Sequence, residues 1–135
     1  MSKSTNQEEI VRRLMDLSRS LASHYDAKLA ELNLTLPQAM LLRQLGDTLQ
    51  MNEAADKLHC DPSNVTGIVD RLESRGLIER QHLTTDRRVK HLALTPAGRR
   101  LRRRVDAILS AAPGVSDLGP SDQAALLSLL GQIKS

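Results

Sequence analysis

Asp61-Pro62-Ser63-Asn64-Val65-Thr66-Gly67-Ile68-Val69-Asp70-Arg71-Leu72 is the stretch that decides how this 135-residue chain is read. Asp61 is a good helix cap, and Pro62 suits a first turn, where its missing amide hydrogen is no loss. Val65, Ile68, Val69 and Leu72 recur on one face. Ser63, Thr66, Gly67, Asp70, Arg71 and Ser74 fall mostly on the other. Gly76 stands where a left-handed residue would close the helix. The spacing therefore predicts a short helix over 61–75, with an apolar back and a small, polar, solvent-facing front.

The flanking segments put that helix in context. Leu77 to Leu83 and Arg88 to Leu94 have strand character, with a turn at Thr84 to Arg87. Asp86-Arg87-Arg88 would then lie near the tip of a hairpin wing over 82–90. Upstream, Leu34-Thr35-Leu36-Pro37 opens a helix buried through Ala39, Met40, Leu42 and Leu45 and closed by Gly46-Asp47. Asn52 caps a third helix, Glu53 to Leu58, and His59-Cys60 makes the tight connection to Asp61. Further out, Thr5-Asn6-Gln7-Glu8 has the form of a capping box. Ile10, Leu14, Leu17 and Leu21 follow at three- and four-residue spacing, predicting a helix of roughly 25 residues to Glu31. A helix this long cannot be covered by one short domain, so association with a second copy is expected. Thr95-Pro96 opens another helix through Leu101, Val105, Ile108 and Leu109 to about Ala112. Pro113-Gly114 breaks it, and Pro120 to Ile133 forms the last. The expected fold is mainly α with a small β-wing: a winged helix-turn-helix domain flanked by N- and C-terminal helices.

Composition narrows the function. The net charge of +3 conceals a local +7 over residues 70–104, between ends that are each −2. Phe and Trp are absent and Tyr25 is the one aromatic, which argues against the stacking platforms used for single strands and RNA. A lone cysteine, Cys60, excludes an internal disulfide framework. No apolar run is long enough for a membrane span or a secretory leader, so a soluble, cytoplasmic protein is expected. His24, His59, His82 and His91 are dispersed without metal-ligand spacing, and neither a nucleophile elbow nor a phosphate loop occurs. No metal, cofactor or enzymatic activity is expected.

A helix with a polar front beside a basic wing is the equipment of a double-stranded DNA reader. Ser63, Asn64 and Thr66 lie at the helix N-terminus, where backbone amides also favour phosphate. Gly67 costs about 1 kcal/mol of helix propensity, a cost that close approach of a DNA backbone would explain. Arg71 can reach a guanine or a phosphate. Arg88 suits a narrow minor groove, with Asp86 holding its rotamer. Arg87, Lys90 and the cluster Arg99-Arg100 and Arg102-Arg103-Arg104 are candidates for backbone contacts. The competing reading is that the polar helix face and much of the arginine cluster are simply solvated.

Leu92-x-Leu94-Thr95-x-x-Gly98, following Asp86-x-Arg88 and preceded by Ser63-x-x-Thr66 and Leu72-x-x-x-Gly76-Leu77-Ile78-x-Arg80, resembles the MarR/SlyA family of bacterial transcriptional regulators. The resemblance covers about residues 10–112. It implies a roughly triangular homodimer, with 1–33 and 96–135 mainly dimerisation helices and 34–95 the DNA-binding lobe of a single domain. It also implies a pseudo-palindromic operator, contacted by Ser63, Asn64, Thr66 and Arg71 in the major groove and by Arg88, oriented by Asp86, in the minor groove. Such proteins are usually repressors released by a small phenolic or lipophilic ligand or by thiol oxidation. Their ligand cleft lies between dimerisation helices and lobe, where this chain offers Tyr25 with His24, Arg43 or His59 as polar anchors. Cys60 is expected to be an inert packing residue, since the first helix lacks the reactive cysteine of peroxide-sensing members. The alternative is a winged-helix interaction module or anti-regulator without specific DNA binding. Arg88→Ala is expected to weaken specific duplex binding markedly while leaving the oligomer folded; unchanged affinity in fluorescence anisotropy would remove the minor-groove role.

Overall fold

The computed structural model describes the chain except residues 1, 2, 47, 59, 60, 83–88 and 135, and of Lys3, Ser4 and Pro62 only the backbone. The helices α1 (Lys3–Ala30), α2 (Leu36–Gln44), α3 (Met51–Leu58), α4 (Pro62–Ser74), α5 (Pro96–Ser110) and α6 (Pro120–Gln132) are joined by three short strands: β1 (Leu49–Gln50), β2 (Ile78–Gln81) and β3 (His91–Leu94). The strands form an antiparallel sheet in the order β1-β3-β2. Leu49 faces Leu92 across one pair, and Ile78 faces Leu94 across the other. This is the expected mainly helical fold with a small sheet, flanked by helices at both ends.

Several local expectations need correction. The hairpin is a three-stranded sheet, because Leu49–Gln50 adds to the outer edge of β3. The described strands are also shorter than the predicted runs: Val89 and Lys90 are outside β3, while Leu83 lies outside the described residues. Asn52 lies inside α3, which starts at Met51, whose amide donates to Lys90 O at 3.0 Å. Thr5 likewise lies within α1 rather than capping it. In α2 the helix ends at Gln44 with Leu45, in extended conformation, as its closing residue, before Gly46 is reached.

Other ends follow the sequence closely. Thr35 and Gln38 form a reciprocal capping box at α2, each side chain bonding the other's backbone amide. At α4 the closing turn runs through Gly76 at φ 71°, with Leu77 N donating to Leu72 O at 3.0 Å. That is the left-handed closure a glycine accommodates without strain.

The core is aliphatic, as the absence of Phe and Trp requires. Leu29, Leu41, Leu42, Leu45, Val65, Val69, Leu72, Ile78, Leu92 and Val105 are its largest fully enclosed side chains. They come from α1, α2, α4, α5, the sheet and the residue closing α2. The predicted stripe of α1 divides in two. Leu29 is fully buried, Tyr25 and Leu21 are half-buried, and Ile10, Val11, Leu14, Met15 and Leu17 are exposed. Every residue of α6 is exposed, Leu127 by 74%.

One junction ties α4, the sheet and α5 together. Thr95 caps α5 by accepting from Gly98 N at 3.0 Å, and its hydroxyl donates to Gly76 O at 2.6 Å. Its own amide donates to Leu77 O at 3.1 Å. A β-carbon on Gly98 would stand 1.9 Å from that same oxygen. Gly98→Ala therefore has to push backbone apart, and we expect a loss of about 1–3 kcal/mol, toward the upper end. Urea unfolding at fixed protein concentration measures it; a variant as stable as the parent would show that the junction yields.

Candidate nucleic-acid interface

The polar front predicted for 61–75 is present on α4. Ser63, Asn64, Thr66, Gly67, Asp70 and Arg71 are all exposed, while Val65, Val69 and Leu72 are buried and Ile68 is half-buried. Asp61 adopts the extended cap conformation, but its side chain makes no capping bond. Its carbonyl oxygen accepts from the amides of Asn64 and Val65 at 3.0 and 3.2 Å. The helix therefore starts on proline and backbone geometry rather than on a carboxylate covering its amides. Nothing lies within 4 Å of where a Gly67 β-carbon would sit. Packing within the chain thus supplies no reason for a glycine in mid-helix.

The wing is held to α4 by Arg80 of β2. Its guanidinium bonds Asp70 and Glu73, both at 2.5 Å, while its backbone amide donates to Glu73 Oε2 at 3.2 Å. The hydrogen bond to Asp70, helped by the charge of Glu73, raises the pKa of Arg80 still further above its ordinary value. The guanidinium half of the brace therefore stays protonated, as arginine does in proteins generally. It also neutralises acidic side chains that would otherwise confront a polyanion from the helix. The sequence placed Arg80 in a motif without giving it a role; an arginine three residues beyond Leu77 on the wing strand, opposite two carboxylates one turn apart, was the available signal.

Lys90 is exposed at the base of β3. Asp86, Arg87 and Arg88 lie outside the described residues. The arginine cluster of α5 divides. Arg99 donates to Leu94 O at 3.3 Å and Arg102 to Leu45 O, so these two reach back to carbonyls of the protein. Arg100, Arg103 and Arg104 are exposed.

Of the residues suggested for an effector cleft, Tyr25 and Arg43 are engaged with α5 or the residue that closes it. The Tyr25 hydroxyl donates to Ala111 O at 2.7 Å, and His24 meets the Tyr25 ring edge-on at 5.4 Å. Arg43 pairs with Asp106 at 3.6 Å. His59 and Cys60 lie outside the described residues. A separate groove of about 720 Å³ runs between α2, α3 and α4, with Leu36, Met40, Leu58 and Ile68 as apolar lining and Lys57, Asn64 and Arg71 as polar lining. None of His24, Tyr25 and Arg43 lines it. No helix among the described residues is long and apolar enough to cross a membrane, and they hold no cluster of His, Cys, Asp and Glu able to bind a metal.

Known proteins match this arrangement. The MarR family model matches residues 34–90, which run from before α2 to the base of the wing. The organic hydroperoxide resistance transcriptional regulator of Bacillus subtilis is 31% identical over 115 residues, covering 84% of this chain and 78% of that one. Among solved structures, AbsC, a MarR family transcriptional regulator from Streptomyces coelicolor, superposes with a TM-score of 0.84 at 22% identity, over 96% of this chain and 91% of that one. A mutant MarR from E. coli, complexed with operator DNA, gives 0.82 at 19% identity over the whole of both chains. These two similarities concern the fold, and the relative from B. subtilis carries the sequence relationship. With the helix-turn-helix lobe matched by the family model and the flanking helices in place, the chain belongs to the MarR family of winged helix-turn-helix, DNA-binding transcriptional regulators.

Proposed function

We propose that this regulator works as a homodimer that reads a pseudo-palindromic double-stranded operator, with α4 in the major groove and the wing over 82–90 in the minor groove. Ser63, Asn64, Thr66 and Arg71 contact bases or nearby phosphates, Arg88 enters the minor groove beside Asp86, and Arg87 and Lys90 hold the backbone. The observation that carries this reading is Gly67: a mid-helix glycine on an exposed polar face, with open space where its side chain would be. Close approach of another molecule accounts for it, and a duplex fits the +7 charge of residues 70–104. The start of α4, where the Asp61 side chain makes no capping bond, is the positive end of the helix dipole and favours a nearby phosphate. The operator complex of the related E. coli fold supports the same use of the lobe.

The second copy is supported by the uncovered apolar surface at the two ends of the chain. Ile10, Val11, Leu14, Met15 and Leu17 on α1, and Leu126, Leu127, Leu129 and Leu130 on α6, are exposed together. Burying a large aliphatic side chain is worth about 1.5–3 kcal/mol, so several such residues offset an association cost of about 4–15 kcal/mol. In this reading 1–33 and 96–135 are mainly dimerisation helices, and 34–95 is the DNA-binding lobe of one domain. Repression, with release by a small phenolic or lipophilic effector, completes it. The effector would act between dimer platform and lobe, with Tyr25 and Arg43 beside α5 and its closing residue and with His24 and His59 as further candidate contacts.

Salt-dependent fluorescence anisotropy tests the reading, with the duplex upstream of the protein's own gene against a shuffled duplex of equal length. Preferential binding of one dimer to the native duplex is expected. Equally weak, steeply salt-sensitive binding to both would favour the interaction-module alternative. Gly67→Ala should stabilise the free protein by up to about 1 kcal/mol yet weaken specific binding by about tenfold, or 1.4 kcal/mol; unchanged affinity would place the DNA elsewhere. Deleting residues 113–135 should abolish the dimer in sedimentation and tight binding with it; a truncated chain that stays dimeric would move the interface off α6.

A further inference from the structure

We propose that Arg75 is a positioning residue that fixes the angle between α1 and the recognition helix α4, and thereby the half-site spacing a dimer accepts; the second step rests on the dimeric DNA-reading function proposed above. Arg75 directly follows α4, and its amide closes the helix by donating to Arg71 O at 3.3 Å. Its side chain reaches back across the lobe. One terminal nitrogen donates to Asn33 O at 2.8 Å and the other to Leu32 O at 3.1 Å.

Those carbonyls belong to the turn that ends α1. Leu34 N donates to Leu29 O at 3.1 Å, and Asn33 sits at φ 55°, the one non-glycine residue in the left-handed region among those described. Asparagine tolerates that region better than most residues. Carbonyls at a helix C-terminus lack intrahelical donors and carry the negative end of the helix dipole. The ends of α1 and α4 thus converge on a single guanidinium. Its planar fork fixes direction as well as distance, which one ammonium cannot do.

The lever is long. Twenty-eight residues of α1 span about 42 Å at 1.5 Å per residue. A pivot of about 5° at the Arg75 end therefore moves the far end by about 4 Å, comparable to the rise of one base pair, ~3.4 Å. The exposed apolar residues Ile10 to Leu17 lie about 20–30 Å from the Arg75 end, where the same pivot gives a shift of about 2–3 Å. A brace at the near end is therefore well placed to convert dimer geometry into the separation of two recognition helices.

The test uses the full chain with Arg75→Met, which keeps an apolar stem and loses both donors, and Arg75→Lys, which restores one. Spin labels on Ser20→Cys in α1 and Asn64→Cys in α4, in a Cys60→Ser background diluted with unlabelled chain, report the intrachain distance. The parent should give a narrow distribution, Arg75→Met one broadened or shifted by several ångströms, and Arg75→Lys an intermediate one. Identical distributions overturn the brace. Unlabelled proteins are then titrated with pseudo-palindromic duplexes whose half-sites are moved by one or two base pairs. The parent should lose about tenfold per base pair from its optimum, and Arg75→Met no more than about threefold. A uniform loss at every spacing would make Arg75 a stabilising residue only and overturn the positioning role. If the parent binds no duplex specifically while Arg75→Met still broadens the distance, the brace stands and the DNA reading falls.

Discussion

The first turn of α5 rests on the carbonyl oxygen of Leu77, so close that a β-carbon at position 98 would overlap it. That contact fixes the relation of three elements at once. Leu77 follows the glycine closing α4 and precedes β2, while Gly98 sits one turn into the helix leading away from the sheet. Thr95 secures the arrangement by capping α5 while donating to the end of α4. Helix α4, the wing root and the outgoing helix α5 consequently share one corner. The aliphatic core behind it, with Leu72, Ile78 and Leu92 fully enclosed, holds the corner from within.

Two arginines carry orientation outward from that corner. Arg80 fastens the wing strand to the carboxylates of α4, and Arg75 fastens the end of α4 to the end of α1. On α5, Arg99 and Arg102 spend their donors on carbonyls in a similar way. Basic residues here therefore have two occupations. Some hold helices and strands in place, and others, such as Arg71, Arg100, Arg103 and Arg104, stay exposed. The local positive charge of residues 70–104 is a sum over both kinds, since an arginine bonded to a neutral carbonyl keeps its charge.

What was legible in the sequence was what local rules govern. Thr35, Thr95 and Gly76 mark helix ends by chemistry that acts within a few residues, and each end falls within one residue of expectation. The polar front of α4 was legible because period and burial coincide there. Leu49–Gln50 was not, since two residues become a strand only through pairing with Leu92 and His91, more than forty positions away. The same holds for Arg75 and Arg80, whose long side chains choose partners only after the turns at Asn33 and Gly76 have formed. The split of α1 was also hidden: its apolar spacing continues unbroken while its neighbours within the chain cover only the C-terminal part.

Tyr25 gives the protein an unusual optical property. It is the sole aromatic fluorophore of the chain, half-buried, with its hydroxyl tied to Ala111 at the junction of α1 and α5. Emission from the unmodified protein therefore arises at one place in each subunit, where the N-terminal arm meets the end of the outgoing helix. Any shift of one against the other changes the hydrogen bonding of the only emitter. The molecule thus carries a label-free reporter at the junction of α1 with the end of α5, and no other Tyr or Trp contributes background.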